Sequence, residues 1–421
     1  MPEVLMVAYD FPPGGGIGAG LRSLKFARYL PDYGWRPRIV SRADTVGDEL
    51  AGFDVERVAS WTPWQWPYEM RPYGWALAVA NRMRRLARSA DLVYVSCPPY
   101  PAALLLARLI DKGRLNVPLV VDFRDAWSLD PYQEGSALKR WLYRHVFPGW
   151  ERRMLRHTDL LLTNTPSMLK AYQALYPAHA ERMAWLPNGY DETDFRSCSG
   201  PADAGGPMTL LYAGSFGIGA RDPANLVRGV QIARDGGCDV TLEIVGRQPP
   251  AVVSLLSRYA AGDGVRWIPG LPHGDMIARL CAADALVLIQ APVPAALLAD
   301  GPAGQPVQAV AGKTYEYLRS GRPVLAITPA GDNRDLVRDW CPGAVFPEDD
   351  PAAIAAAVVR LCQVRRGDNG AAVRAPADAF ARQYERRELT RQLAGHFDRL
   401  IGRAGGSDVR AGAGMATGDS D

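Results

Sequence analysis

AGKTYEYLRSGRPVL, residues 311–325, compresses a helix and the start of a strand into one short stretch. Gly312 opens a helical run, Gly321 closes it, and an apolar strand pattern begins at Val324. Lys313 and Glu316 are three positions apart, so on a helix they share one face. A lysine in a first helical turn opposes the helix dipole. An anion bound there removes that conflict, because the ammonium and the free backbone N–H groups then converge on it. Glu316 can accept hydrogen bonds from two neighbouring hydroxyls, as on a ribose. A surface ion pair is the plainer explanation of the same spacing.

Outward from this unit, short apolar runs alternate with helical patterns in both directions. The first half offers strands at Val4–Tyr9, Pro37–Ser41, Leu92–Ser96, Leu119–Phe123, Leu160–Thr163 and Met183–Leu186. The second offers Leu210–Ala213, Thr241–Val245, Val265–Ile268, Ala285–Ile289, Val324–Ile327 and Ala344–Phe346. Apolar runs without polar alternation predict strands buried on both faces, and strand–helix alternation predicts parallel sheets with right-handed crossovers. The expected architecture is two doubly wound α/β domains facing across a cleft. Residues 1–195 form the first domain, 196–207 a linker, 208–401 the second domain and 402–421 a disordered tail. The last helical pattern, Ala377–Leu400, is placed in the second domain or packed back on the first.

Ligands of doubly wound sheets sit beyond the carboxyl ends of the strands, so the loops there hold the candidates. The first strand leads into Gly14–Gly16, a loop suited to close approach of an anion, although its spacing departs from the dinucleotide pattern. The strand Leu119–Phe123 runs into DFRDAW, residues 122–127. Asp122, Arg124 and Asp125 are the candidate catalytic groups, to hold an acceptor hydroxyl and a phosphate or sugar; a local Asp–Arg pair is the alternative. Asn188-Gly189 is turn chemistry. Gly214, Ser215 and Arg247 follow two strands of the second half and offer anion contacts.

Composition sets limits on function. The chain has 421 residues, 48% hydrophobic and 22% charged, which excludes a mainly disordered protein. A net charge of +3 gives no argument for nucleic-acid binding. Its six cysteines have no metal or redox spacing and are expected to be unpaired thiols. No metal site is expected. No signal peptide or membrane-length apolar run is evident, so the expected location is the cytoplasm, with peripheral membrane contact at most. Residues 61–75 carry four tryptophans and are followed by Arg82, Arg84, Arg85 and Arg88. That segment and Lys139–Arg156 are candidates for an anionic membrane surface or a hydrophobic acceptor.

The Gly14–Gly16 loop, DFRDAW (122–127), LPNGYDETDF (186–195), LLYAGSFG (210–217) and GKTYEYLRSGRPVLAI (312–327) together resemble retaining GT-B glycosyltransferases of glycosyltransferase family 4, in the branch that builds bacterial polysaccharides and other glycosides. The resemblance spans about residues 4–400. It implies transfer of a sugar from a UDP-, GDP- or dTDP-sugar to a sugar, lipid-linked or small-molecule acceptor, with retention of anomeric configuration and without a metal ion or other cofactor. The donor side would comprise Gly15, Gly16, Gly214, Ser215, Arg247, Lys313, Thr314, Tyr315 and Glu316. Asn188 and Asp191 would lie on the acceptor side. Two departures stand out: position 308, eight before Glu316, is Gln308, and no histidine ends the fourth strand of the first half. One of Asp122, Arg124 and Asp125 would fill that histidine's space. The alternatives are a sugar-nucleotide epimerase of the same architecture and a non-catalytic homologue that binds a partner.

Overall fold

The computed structural model describes residues 1–13, 20–43, 50–61, 71–130, 137–198, 206–216, 222–259, 264–292, 310–365 and 377–402. Seven strands form the first sheet: β1 (Glu3–Ala8), β2 (Arg36–Arg42), β3 (Val55–Val58), β4 (Leu92–Cys97), β5 (Leu119–Phe123), β6 (Leu160–Thr163) and β7 (Met183–Trp185). Their order is β3-β2-β1-β4-β5-β6-β7, and every pair is parallel. The second sheet contains β8 (Met208–Ala213), β9 (Val240–Val245), β10 (Val265–Ile268), β11 (Ala285–Ile289) and β12 (Val324–Ile327), parallel in the order β10-β9-β8-β11-β12. The two doubly wound sheets are those expected from the alternating pattern.

Successive residues of a strand face opposite sides, so each apolar run feeds two cores. Leu5 and Val7 enter one core of the first domain, while Val4 and Met6 enter the other. The second sheet divides Leu210 and Tyr212 from Leu211 and Ala213 in the same way. Such strands need helices on both faces, which restricts exposed loops to the strand ends.

Four details differ from the expected pattern. β3 is a half-buried edge strand whose Val-Glu-Arg-Val sequence has no apolar run. Ala344–Phe346 is no strand, because only the bridge between Leu325 and Val345 forms there. Helical pattern 138–156 divides into the helices Ala137–His145 and Phe147–Leu155, with Pro148 in the first turn of the second. The terminal pattern divides at Glu385, whose carboxylate caps the helix Arg386–Leu400 by accepting from the N–H groups of Arg387 at 2.7 Å and Glu388 at 3.2 Å.

That last helix belongs to the first domain's core. Leu389, Leu393 and Phe397 are fully buried among Val4, Met6, Tyr94 and Val120. Trp35 meets Phe397 with ring centroids 5.2 Å apart and donates to Asp398 at 3.2 Å. The chain therefore crosses between domains twice. The crossings touch at Gly189, where φ is +64° and an added Cβ would lie 2.4 Å from the Tyr384 carbonyl oxygen. Tyr190 and Glu385 form a parallel bridge beside it.

The expectation of six unpaired thiols fails at Cys198 and Cys281, which form a disulfide with Cα atoms 5.6 Å apart. They are 83 residues apart, a separation that short-motif reading does not detect. Among the described residues, no helix is long and apolar enough to cross a membrane.

If the terminal helix completes the first core, Phe397→Ala should destabilise that domain by about 3–5 kcal/mol. Calorimetric unfolding reads this directly; a transition unchanged from the wild type would show that the helix contributes little there.

Candidate active site

A cleft of about 850 Å³ lies between the domains, at the carboxyl ends of both sheets. Tyr9 and Asp10 follow β1, Pro98 and Pro99 follow β4, Arg124 and Asp125 follow β5, and Asn164 follows β6. The opposite wall consists of Gly214 after β8, Gln290 after β11, and the helix Gly312–Ser320.

Helical geometry sorts the residues of that helix. Lys313 and Glu316 both face the cleft. The Lys313 ammonium donates to the Ala213 carbonyl at 2.9 Å and lies 4.0 Å above the Tyr212 ring, so its position is set by β8. Gly214, with φ +133°, leaves the room it needs: an added Cβ would come within 3.4 Å of Nζ. Thr314 and Tyr315 are buried and face away from the cleft. Thr314 donates to Asn333 at 2.8 Å, and Asn333, which does line the cleft, donates to Gln290 at 2.8 Å. Tyr315 packs against Tyr384, ring centroids 5.3 Å apart. Thr314 and Tyr315 therefore support the wall rather than touch its contents.

Burial pushes the Glu316 carboxyl above its ordinary pKa, and the charges of His273 and Arg386 oppose that rise. His273 Nε2 lies 3.5 Å from Glu316 and 3.3 Å from Asp194. Its hydrogen bond with Asp194 raises the imidazole pKa, against burial.

The three candidates after β5 separate. Asp122 is fully buried behind the cleft wall. It accepts from Arg22 Nε at 2.7 Å, from Arg22 Nη2 at 3.0 Å and from the Tyr94 hydroxyl. Its carboxylate has the role of a structural counter-ion, the local pairing alternative, although its partner is Arg22 rather than Arg124. Arg124 and Asp125 do line the cleft. Arg124 donates to the carbonyls of Cys97 at 3.3 Å and Pro98 at 2.8 Å. The surrounding walls push the Asp125 carboxyl up, with Arg124 opposing.

Asn188 lines the cleft, but Asp191 does not. Asp191 is buried, 2.5 Å from Lys25 and 2.8 Å from the Tyr29 hydroxyl, and it caps the turn at Thr193. Burial raises its pKa, yet hydrogen bonds from Lys25 and Thr193 outweigh this and bring it to about 2. Its acceptor-side assignment is replaced by a structural one. Arg247 is exposed outside the cleft lining, and Ser215 lies beside Gly214 without lining it. Gly15 and Gly16 lie outside the described residues, as does Gln308.

Sequence reasoning missed Arg22, Asn164, His273, Asn333 and Arg386, all in the cleft lining. Arg386 is 5% exposed; its Nε donates to the Asn188 carbonyl at 3.3 Å, and its Nη1 is buried without a partner. Burial lowers its pKa, while Glu316 opposes that. An available signal was the capped helix start at Glu385, which puts Arg386 in the first turn where the chain returns to the first domain. Among the described residues, no cluster of three His, Cys, Asp or Glu side chains has metal-site geometry.

Two α/β domains of this topology around such a cleft define the GT-B class. Residues 15–189 match the glycosyl transferase 4-like domain and residues 207–364 match the glycosyl transferases group 1 domain. The chain is a GT-B glycosyltransferase. The sequence matches no curated protein. Among solved structures, it is similar to sucrose-phosphate synthase from Thermosynechococcus elongatus (15% identity, 96% of this chain and 100% of that one, TM-score 0.65). It is also similar to WaaG, a glycosyltransferase of lipopolysaccharide biosynthesis (18%, 95% and 100%, TM-score 0.64), and to Anabaena HepE, solved with UDP and glucose (16%, 95% and 100%, TM-score 0.61).

Asp122→Asn should cost about 3–5 kcal/mol, because it leaves Arg22 buried and unpaired, whereas Asp125→Asn should leave the melting temperature nearly unchanged. Equal losses would remove the distinction drawn between them. The raised pKa of His273 means its stabilising contribution is full below about pH 6.5 and is lost as pH rises through the raised value. A His273→Gln variant should lack that component of the melting-temperature profile; a superimposable profile would show that His273 does not carry it.

Proposed function

We propose that the protein transfers a sugar from a nucleoside-diphosphate sugar to an acceptor hydroxyl with retention of configuration, as a family 4 enzyme. The observation that carries the reading is the helix Gly312–Ser320, which turns Lys313 and Glu316 together into the interdomain cleft. A departing nucleoside diphosphate gains negative charge, and fixed donors and cations aimed at it lower the barrier. Lys313 and the N–H groups at Gly312 would meet the diphosphate, Glu316 the ribose hydroxyls, and Arg386 Nη1 an oxygen of the same donor. Arg124, Asp125 and Asn164 would face the reacting sugar and the acceptor. No resident metal is needed in this scheme, since the cations are supplied by side chains. UDP, GDP and dTDP are the candidate carriers. Retention rests on the resemblance of segments 186–195 and 312–327 to the retaining family. The same reading assigns the enzyme to polysaccharide or glycoside biosynthesis in the cytoplasm, with the exposed Trp61 and Trp141 as candidate contacts to the inner membrane face.

Thermal stabilisation by a panel of UDP-, GDP- and dTDP-sugars, followed by donor hydrolysis, tests the reading. One donor should stabilise the wild type and release sugar with EDTA present, and Glu316→Ala should lose both effects. No stabilisation by any donor would refute the donor site. Arg386→Met should keep or raise the ligand-free melting temperature, because it removes a buried cation with an unpartnered donor, yet bind the nucleoside diphosphate at least tenfold more weakly. Proton NMR of the first-formed product reads the anomeric outcome.

A further inference from the structure

We propose that a second cavity, behind the acceptor wall of the cleft, holds a hydrocarbon group attached to the acceptor, so that the acceptor is an amphiphile. This rests on the transferase reading of the cleft. The cavity measures about 300 Å³ and lies among the helices Arg71–Leu86, Pro101–Asp111, Ala137–His145 and Phe147–Leu155. Ten described residues line it, none of them charged, including Leu77, Leu104, Trp127 and Phe147.

Its wall is continuous with that of the cleft. Pro72 lines the cleft and Tyr73 the cavity; Pro99 lines the cleft and Tyr100 the cavity; Asp125 lines the cleft and Trp127 the cavity. Tyr100 ties the two together: its hydroxyl donates to the carbonyls of Asp125 at 2.9 Å and Ala126 at 3.0 Å, and its ring stacks on Trp127 at 4.9 Å. A hydroxyl held beside Asp125 would thus carry any apolar extension directly toward the cavity.

Chemistry selects the occupant. The Tyr100 hydroxyl is engaged by backbone, and that of Tyr143 donates to Asp130 at 3.3 Å. Rings, leucines and Pro101 make up most of what remains, with the Tyr73 hydroxyl and the indole N–H groups of Trp127 and Trp150 as its other polar tips, a lining suited to hydrocarbon rather than to a second sugar. Leu77 and Tyr73 are 48% and 38% exposed, so apolar surface stays in water while the cavity is empty. The volume admits about ten groups of water size, at about 30 Å³ each. A chain of roughly that many carbons, or a small fused ring, matches it.

Calorimetric titration of the full chain with n-octyl β-D-glucoside, below its micellar concentration, tests the proposal, with methyl β-D-glucoside as control. One octyl glucoside should bind per chain, at least tenfold tighter than the methyl compound. Leu104→Trp, which fills the cavity, and Leu77→Asp, a change at an exposed position, should each weaken octyl glucoside at least tenfold. Equal affinity for the two glycosides, no saturable binding, or wild-type affinity in both variants would overturn the proposal. So would a loss confined to binding of phosphatidylglycerol vesicles, since that would make the patch a membrane contact. Stabilisation by the nucleotide-sugar panel, measured on the same samples, separates the two readings. Donor binding without octyl binding refutes the cavity alone; octyl binding that both variants weaken, without donor binding, supports the cavity and refutes the transferase site.

Discussion

Arg22 and Asp122 form an ion pair with almost no access to water, at side-chain exposures of 3% and 0%. Such a pair survives desolvation only if the remaining donors and acceptors are also met. They are met here: Arg22 donates to the carbonyls of Leu186 at 2.9 Å and Pro187 at 2.5 Å, besides its two bonds to Asp122. One guanidinium therefore joins the first helix, the end of β5 and the segment leaving the first domain. The cleft walls on both sides of it, from Arg124 to Asn188, take their positions from that junction.

A second set of charges extends the junction into the other domain. Lys25 reaches Asp191 and Asp194, Asp194 reaches His273, and His273 reaches Glu316. With His273 protonated, carboxylates and cations alternate along this path. The arrangement couples the crossover segment to the helix that carries Lys313. Arg386 enters the same region from the end of the chain, and its Nη1 has no partner within it. That unpartnered donor is the observation behind the donor contact proposed for Arg386.

Much of the fold was legible because parallel strands buried on both faces must be continuously apolar. Eleven of the twelve described strands lie where the strand–helix alternation predicts one, although β2, β9 and β10 include polar residues. β3 escaped because an edge strand need not be apolar throughout, and Ala344–Phe346 imitated a strand through composition alone. In the site, Lys313 and Glu316 could be paired from spacing, since i and i+3 residues share a helical face. Thr314 and Tyr315 lie between them in sequence, and the same periodicity turns them into the core.

What the sequence determined by itself was therefore local and periodic: two α/β halves, the loops where ligands could sit, and one helix with an acid and a base on a shared face. Which charges remain available to a ligand is set by contacts between distant parts of the chain. Asp122 and Asp191 carry the same functional group as Asp125, yet two are sealed by Arg22 and Lys25 and one faces the cleft. The reason is physical: a buried carboxylate is held by partners that fold against it from far along the chain, about 100 residues away for Asp122, and sequence spacing contains no record of that meeting.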